Sequence, residues 1–196
     1  MFRVTMVLIG LGAALAPKQS QALTVVDFHT DAVIQEGDAY DVVNVWDNAN
    51  VVMLGGVVRN VYTRDTSTLH IAGGEVISGV QSFDASSVQF AGGMGGGMYL
   101  SFTDWSVIHL TGGIQAAHVS AFVGSTVNIY GYGFSEEDRG GTVAITGFWG
   151  DGTPFTMTLR GPDTYSRVVF HVVPEPGTLG LIACGGGLLL RRRGRR

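Results

Sequence analysis

The 196-residue sequence predicts an all-β body wound as a parallel β-solenoid of about five coils, and three observations point there. One frame recurs: Asp47 to Gly55-Gly56, Asp65 to Gly73-Gly74, Asp84 to Gly92-Gly93 and Asp104 to Gly112-Gly113, with the glycine pairs 18, 19 and 20 residues apart. Each frame encloses an alternating apolar pair, namely Val51/Met53, Leu69/Ile71, Val88/Phe90 and Ile108/Leu110, and a degenerate fifth copy carries Val127/Ile129 before Gly131 and Gly133. A large apolar residue also stands four positions before each Asp, at Val43, Val61, Val80 and Leu100. A single repeat of this length cannot bury its own apolar face, whereas stacked copies make a continuous core. An antiparallel sandwich also suits short strands with frequent turns. It gives no reason for the same corner residues to recur at one offset.

Taken in order, residues 23–45 precede the first full frame and are expected to form an N-terminal cap. Residues 46–133 carry the coils, with the two apolar columns inward, rungs ~4.8 Å apart, and corner glycines supplying positive φ. The Asp column, Asp47, Asp65, Asp84 and Asp104, sits at one corner. Each Asp is expected to accept from the N–H two residues on, an Asx-turn that starts the next coil. Calcium is the alternative, because unpaired carboxylates ~5 Å apart repel unless something offsets the charge. At a solvated corner, salt screens that repulsion. After Gly133 the pattern stops and residues 134–172 form a closing β cap. It comprises the polar loop Glu136 to Gly141, a hairpin pairing Thr142–Trp149 with Phe155–Arg160, and a strand at Val168–Val172. Such a cap would cover an otherwise open sheet edge.

The two ends read as targeting segments. Residues 1–22 have a positive start at Met1-Phe2-Arg3, an uncharged apolar run from Val4 to Ala16 and a small-x-small site at Ser20-Gln21-Ala22. They form a signal peptide, cut between Ala22 and Leu23 by signal peptidase. Residues 173–196 begin Val173-Pro174-Glu175-Pro176, continue as a 14-residue apolar stretch from Gly177 to Leu190, and end in Arg191, Arg192, Arg193, Arg195 and Arg196. The prolines hold the motif extended and outside any helix. As a helix the apolar stretch spans about 21 Å, short of a full bilayer crossing of ~20 residues. Tilt and bilayer thinning make up the difference, and the arginines hold the terminus on the cytoplasmic side.

Once these ends are set aside, residues 23–174 hold fifteen acids against five arginines, a net charge of −10. That makes nucleic acid and anionic lipid poor partners. The only cysteine, Cys184, lies in the apolar tail, so the body has neither disulfide nor thiol chemistry. His70 and His109 share an outward column, but Gln89 stands between them, which separates the pair by ~10 Å. One metal cannot bridge that span with Zn–N bonds of about 2 Å. The run Gly92-Gly93-Met94-Gly95-Gly96-Gly97 lacks the lysine of a phosphate loop. No cofactor, resident metal or catalytic activity is expected.

A Pro-Glu-Pro signature, a short apolar segment and a terminal arginine cluster together resemble the PEP-CTERM sorting tail of Gram-negative bacteria. Tails of this class are also called the ice-binding protein C-terminal domain, a name that specifies no activity. The resemblance covers about 24 residues and implies recognition by exosortase, passage through an inner-membrane-anchored precursor, and release to the cell surface. It also implies company with exopolysaccharide. The expected function is thus a non-catalytic surface or matrix protein, with a glycan- or ice-binding solenoid module as the alternative. Ice-binding solenoids resemble this fold but carry flat Thr-x-Thr ranks, whereas the outward triplets here run from Asn50/Val52/Leu54 to Thr126/Asn128/Tyr130 without a common pattern. A β-helix lyase or hydrolase would need clustered acids, Arg or Lys on that face, which the triplets lack.

Overall fold

Period-2 apolar patterning sets the strands, and glycine and aspartate corners set their ends. A computed structural model describes residues 23–93, 95–161 and 163–176. The strands are β1 (Val25–Phe28), β2 (Ala32–Ile34), β3 (Ala39–Val45), β4 (Asn50–Met53), β5 (Val57–Thr63), β6 (Thr68–Ile71), β7 (Glu75–Ser82) and β8 (Ser87–Phe90). They continue as β9 (Gly95–Phe102), β10 (Val107–Leu110), β11 (Ile114–Ala121), β12 (Thr126–Asp138), β13 (Thr142–Phe148), β14 (Pro154–Arg160) and β15 (Val168–Val172), with a 3-10 turn at Tyr165–Arg167.

Each coil contributes two strands, one to each of two facing parallel sheets. Odd strands from β1 to β11 stack on one side, and even strands from β2 to β12 on the other. The Asp corner joins the long odd strand to the short even one, and the Gly-Gly corner leads back. Both expected columns of the short sheet point inward: Val51, Leu69, Val88, Ile108 and Val127 form one, and Met53, Ile71, Phe90, Leu110 and Ile129 the other, none above 2% exposed. The residues four before each Asp are inward too, since Val43, Val61, Val80 and Leu100 are at most 1% exposed. One further inner column is partly polar. Val45, Thr63, Ser82, Phe102 and Ala121 stack in it, and the Thr63 and Ser82 hydroxyls bond each other at 3.0 Å and share Ser86 Oγ at 3.0 and 2.6 Å. Ser86 in turn donates to the Phe83 carbonyl at 2.7 Å. Buried hydroxyls that satisfy one another avoid the cost of an unpaired polar group.

The glycine pairs are dictated by geometry. At the Gly73-Gly74 corner, a Cβ on Gly73 would collide with the Leu54 carbonyl of the preceding coil, and Gly74 has φ +82°. Coils pass too closely there for any side chain.

Two boundaries differ from the sequence expectation. Residues 23–45, expected as a cap, already run in solenoid register: β1 pairs with β3 in parallel, Phe28 opposite Val45, and β2 pairs with β4, Ile34 opposite Met53. The apolar side chains of Val26, Phe28 and Ile34 continue the inner columns, so stacking extends through them. At the other end the hairpin forms as expected, with β13 antiparallel to β14 and Ile145 opposite Met157. Yet it also prolongs the coil stack. β14 adds to β11 in parallel, and β15 adds to β12 in parallel. β12 runs on past Gly131 and Gly133, crossing from one sheet to the other, where Glu136 to Asp138 pair antiparallel with β13. Trp149, 1% exposed, plugs the core at this end. Its indole donates to the Ile114 carbonyl at 2.8 Å and its ring stacks on Phe155 at 4.2 Å.

Candidate functional site

The Asp corner is the first place to look for chemistry. Asp47, Asp65, Asp84 and Asp104 all have φ between 56° and 57°, the left-handed region that Asp tolerates better than most residues. Each turn closes by a backbone bond across it, for example Ser67 N–H to the Arg64 carbonyl at 3.1 Å. The Asp side chains do not close these turns. Asp65 Oδ2 accepts the Asp47 N–H at 3.0 Å, Asp84 Oδ2 the Asp65 N–H at 3.1 Å, and Asp104 Oδ2 the Asp84 N–H at 3.3 Å. The expected Asx-turn is therefore replaced by a ladder that stitches each coil to the one before it. A left-handed Asp aims its carboxylate along the stack, toward the N–H of the neighbouring coil, and Asp104 Oδ2 also accepts the Thr103 hydroxyl at 2.9 Å. Asx-turns do occur in the cap loops, at Asp138 to Gly140 and Asp151 to Thr153. The latter bond holds the Asp151 carboxyl below its ordinary pKa. At the start of the ladder, Asp47 Oδ2 meets His29 Nδ1 at 2.8 Å. Among the described residues, no three His, Cys, Asp or Glu side chains come together in a way that could hold a metal.

The degenerate fifth copy solves the corner differently. Val123 stands where an Asp would be, and positive φ moves one residue on to Gly124, at 88°. Beside the Asp column runs a second ladder of flat groups. His29 stacks on Trp46 at 6.2 Å, and the Arg64 guanidinium lies 5.1 Å from the Trp46 ring centre and 4.4 Å from that of Phe83. Such cation–π contacts add coil-to-coil cohesion.

On the outer face of the short sheet, His70, Gln89 and His109 follow one another in one column as expected. Strand β15 then adds a partner that sequence spacing did not suggest. His171 stacks on Tyr130 at 4.3 Å and bonds Asn128 Oδ1 at 2.9 Å through Nε2, while His109 Nδ1 lies 3.1 Å from the Tyr130 hydroxyl. Burial first, and then the nearby His171 charge, push the His109 pKa below its ordinary value.

One concave surface lies where the last regular coils meet the cap. A groove of about 420 Å³ is lined by Tyr99, Asp104, Ser120, Phe122, Arg160 and Asp163, among others. Tyr99 and Ser120 project from the outer face of adjacent rungs, and the Tyr99 hydroxyl donates to Ser120 Oγ at 3.2 Å. Thr164, 2% exposed, fixes the far wall: its hydroxyl accepts the Ala121 N–H at 3.1 Å and donates to the Arg160 carbonyl. Arg160 also approaches His118 Nε2 at 3.5 Å. Tyr99 and Phe122 leave 39% and 52% of their surfaces exposed, and Trp105, next to Asp104 in the chain, leaves 76%. Sequence reasoning missed this groove because its walls come from three segments about 20 and 40 residues apart.

Pro174, Glu175 and Pro176 follow β15 after Val173 and are all exposed, and the backbone turns helical at Pro176, where the sequence expectation had the whole motif outside any helix. Leu23 is exposed as well, at 73%. The remaining expectations on the ends, namely the signal segment 1–22 with Ala22, the apolar stretch 177–190 and Arg191, Arg192, Arg193, Arg195 and Arg196, fall outside the described residues. Among the described residues no helix is long and apolar enough to cross a membrane. No protein-family model matches the chain, and neither do any curated protein or solved structure.

Proposed function

We propose that this chain is an exported, non-catalytic surface or matrix protein. In this reading signal peptidase removes residues 1–22, the inner membrane holds the precursor through residues 177–190, and exosortase acts at Pro174-Glu175-Pro176. The observation that carries it is the order of the tail in the sequence, motif then apolar stretch then arginines. Its support in the fold is positional. The motif emerges from the last strand exposed, with both prolines outside the β ladder, where a processing enzyme can reach it. A structural role for the body accords with the Asp corner, whose carboxylates are engaged in joining coils. Exopolysaccharide is the proposed companion at the surface. Binding of glycan by the body is the second reading, and the groove beside Tyr99 favours it over ice.

Mass spectrometry of the protein recovered from the cell surface tests the processing. The expected product begins at Leu23 and yields no peptide beyond Pro176. Recovery of tails containing Cys184 from that final location would leave a permanent anchor in place of a sorting signal.

A further inference from the structure

We propose that the groove between β9, β11 and the loop after β14 is a binding subsite for a neutral oligosaccharide, holding one or two pyranose rings. This rests on and deepens the second reading above, glycan binding by the body, and is independent of the sorting reading, since none of the groove residues lies in the tail. Four observations carry it.

The groove is concave and braced. Its volume, about 420 Å³, lies at the small end of ligand clefts, which run from ~300 to 1,000 Å³. Thr164 pins the loop wall to the end of β11 with its buried hydroxyl. The site therefore exists before any ligand arrives, which lowers the ordering cost of binding.

Two aromatic side chains in it are left substantially uncovered, Tyr99 and Phe122. Ring faces carry negative charge density and ring edges positive. The C–H face of a pyranose is apolar and weakly positive, so it packs on such a ring where a polar peptide or an anion would not.

Around those rings stand groups that bond hydroxyls in both directions: the Asp163 carboxylate and the second oxygen of Asp104, whose Oδ2 is engaged in the coil ladder, accept, and Arg160 donates. A carboxylate accepts from two adjacent hydroxyls at once, and a guanidinium donates to two adjacent oxygens. Vicinal diols are the ligands that use both.

The charges are of mixed sign. Two carboxylates beside one guanidinium disfavour a phosphate or uronate, and the body's net charge of −10 repels polyanions further. A cation would meet Arg160. What remains is a neutral polyhydroxylated ligand.

The test uses the full-length chain in a sugar-free detergent, with saturation-transfer NMR against gluco-, manno- and xylo-oligosaccharides and with oligogalacturonate as the charged comparison. The expected result is transfer to ring C–H protons of at least one neutral series. Tyr99→Ala and Phe122→Ser should each weaken the dissociation constant at least tenfold, and Asp163→Asn by several-fold. Both aromatic positions are exposed, so circular dichroism should show these variants folded, and Val172→Ser, exposed and away from the groove, should bind as the parent does. The proposal is overturned if no neutral series binds at millimolar concentration, if oligogalacturonate binds better than all of them, or if binding survives the Tyr99→Ala/Phe122→Ser pair.

Discussion

Asp84 offers the sharpest test of how the coils are joined. Its carboxylate accepts the Asp65 N–H at 3.1 Å, and its own backbone sits at φ 56°. Replacement by alanine removes both provisions. An exposed charge-assisted hydrogen bond contributes about 1 kcal/mol, and placing a Cβ residue without a compensating side chain in the left-handed region costs roughly 1–2 kcal/mol. Asp84→Ala should therefore lose about 2 kcal/mol, which for a body of this size lowers Tm by ~4–8 °C. Asp84→Gly tolerates the backbone but lacks the acceptor, and should lose about 1 kcal/mol. Asp84→Asn keeps an oxygen acceptor and tolerates φ > 0, so its loss should stay under ~0.5 kcal/mol. Urea unfolding followed by circular dichroism reads all three. The order Ala, then Gly, then Asn in decreasing damage is the signature. If alanine is as stable as asparagine the ladder contributes nothing, and if all three variants are more stable than the parent, repulsion between stacked carboxylates outweighs the bonds.

Phe90→Asp should be severely destabilising, by more than about 4 kcal/mol, since Phe90 is 1% exposed inside the stack and the new charge has no partner; unchanged solubility and melting temperature would contradict the packing. Gly73→Ala should lose about 1–3 kcal/mol by driving a methyl group into the Leu54 carbonyl, whereas Gly140→Ala, in open space at φ +68°, should lose only about 1 kcal/mol; equal melting temperatures would remove the case for close coil contact at the Gly corner. His109 has a folded pKa below its ordinary 6.5, through burial and then His171. The folded state thus binds fewer protons than the unfolded one, so this contribution is whole above about pH 6.5 and falls away on acidification through that value. His109→Gln should flatten the decline of the urea midpoint between pH 7.5 and 5.5, and an unaltered slope would assign the decline elsewhere.

What the sequence made legible is the half of each coil with the simplest chemistry. Leu69 and Ile71 alternate with Thr68 and His70 in a four-residue strand, and the inward pair is unmistakable because nothing polar interrupts it. The opposite sheet was legible at one position per coil only. Its next inner column contains Thr63 and Ser82, and hydroxyls that satisfy one another inside look like surface residues in a sequence. The left-handed Asp backbone was hidden for a related reason, because Asp before Ser or Thr suits several turn types and only the neighbouring coil decides between them. The groove and the His171–Tyr130 stack needed the cap to be placed. Pairings of β14 with β11 and of β15 with β12 join residues 40 or so apart, and no local pattern records such a distance.

The crossing of β12 from one sheet into the other gives the molecule a direction. Among the described residues, β1 and β2 at the N-terminal end hold four and three residues and each pairs with a single neighbour. At the opposite end, β12 is hydrogen-bonded to β10, β13 and β15 along its length, and β13 is bonded on both flanks. Heat or denaturant therefore frays the stack from its front, one rung at a time, while the rear remains knotted to itself by shared strands. Amide exchange would climb as a gradient along the axis, slowest beside Trp149. A filament of stacked rungs with one soft end and one spliced end yields to strain progressively, and the yielding begins at the end farthest from the Pro-Glu-Pro segment.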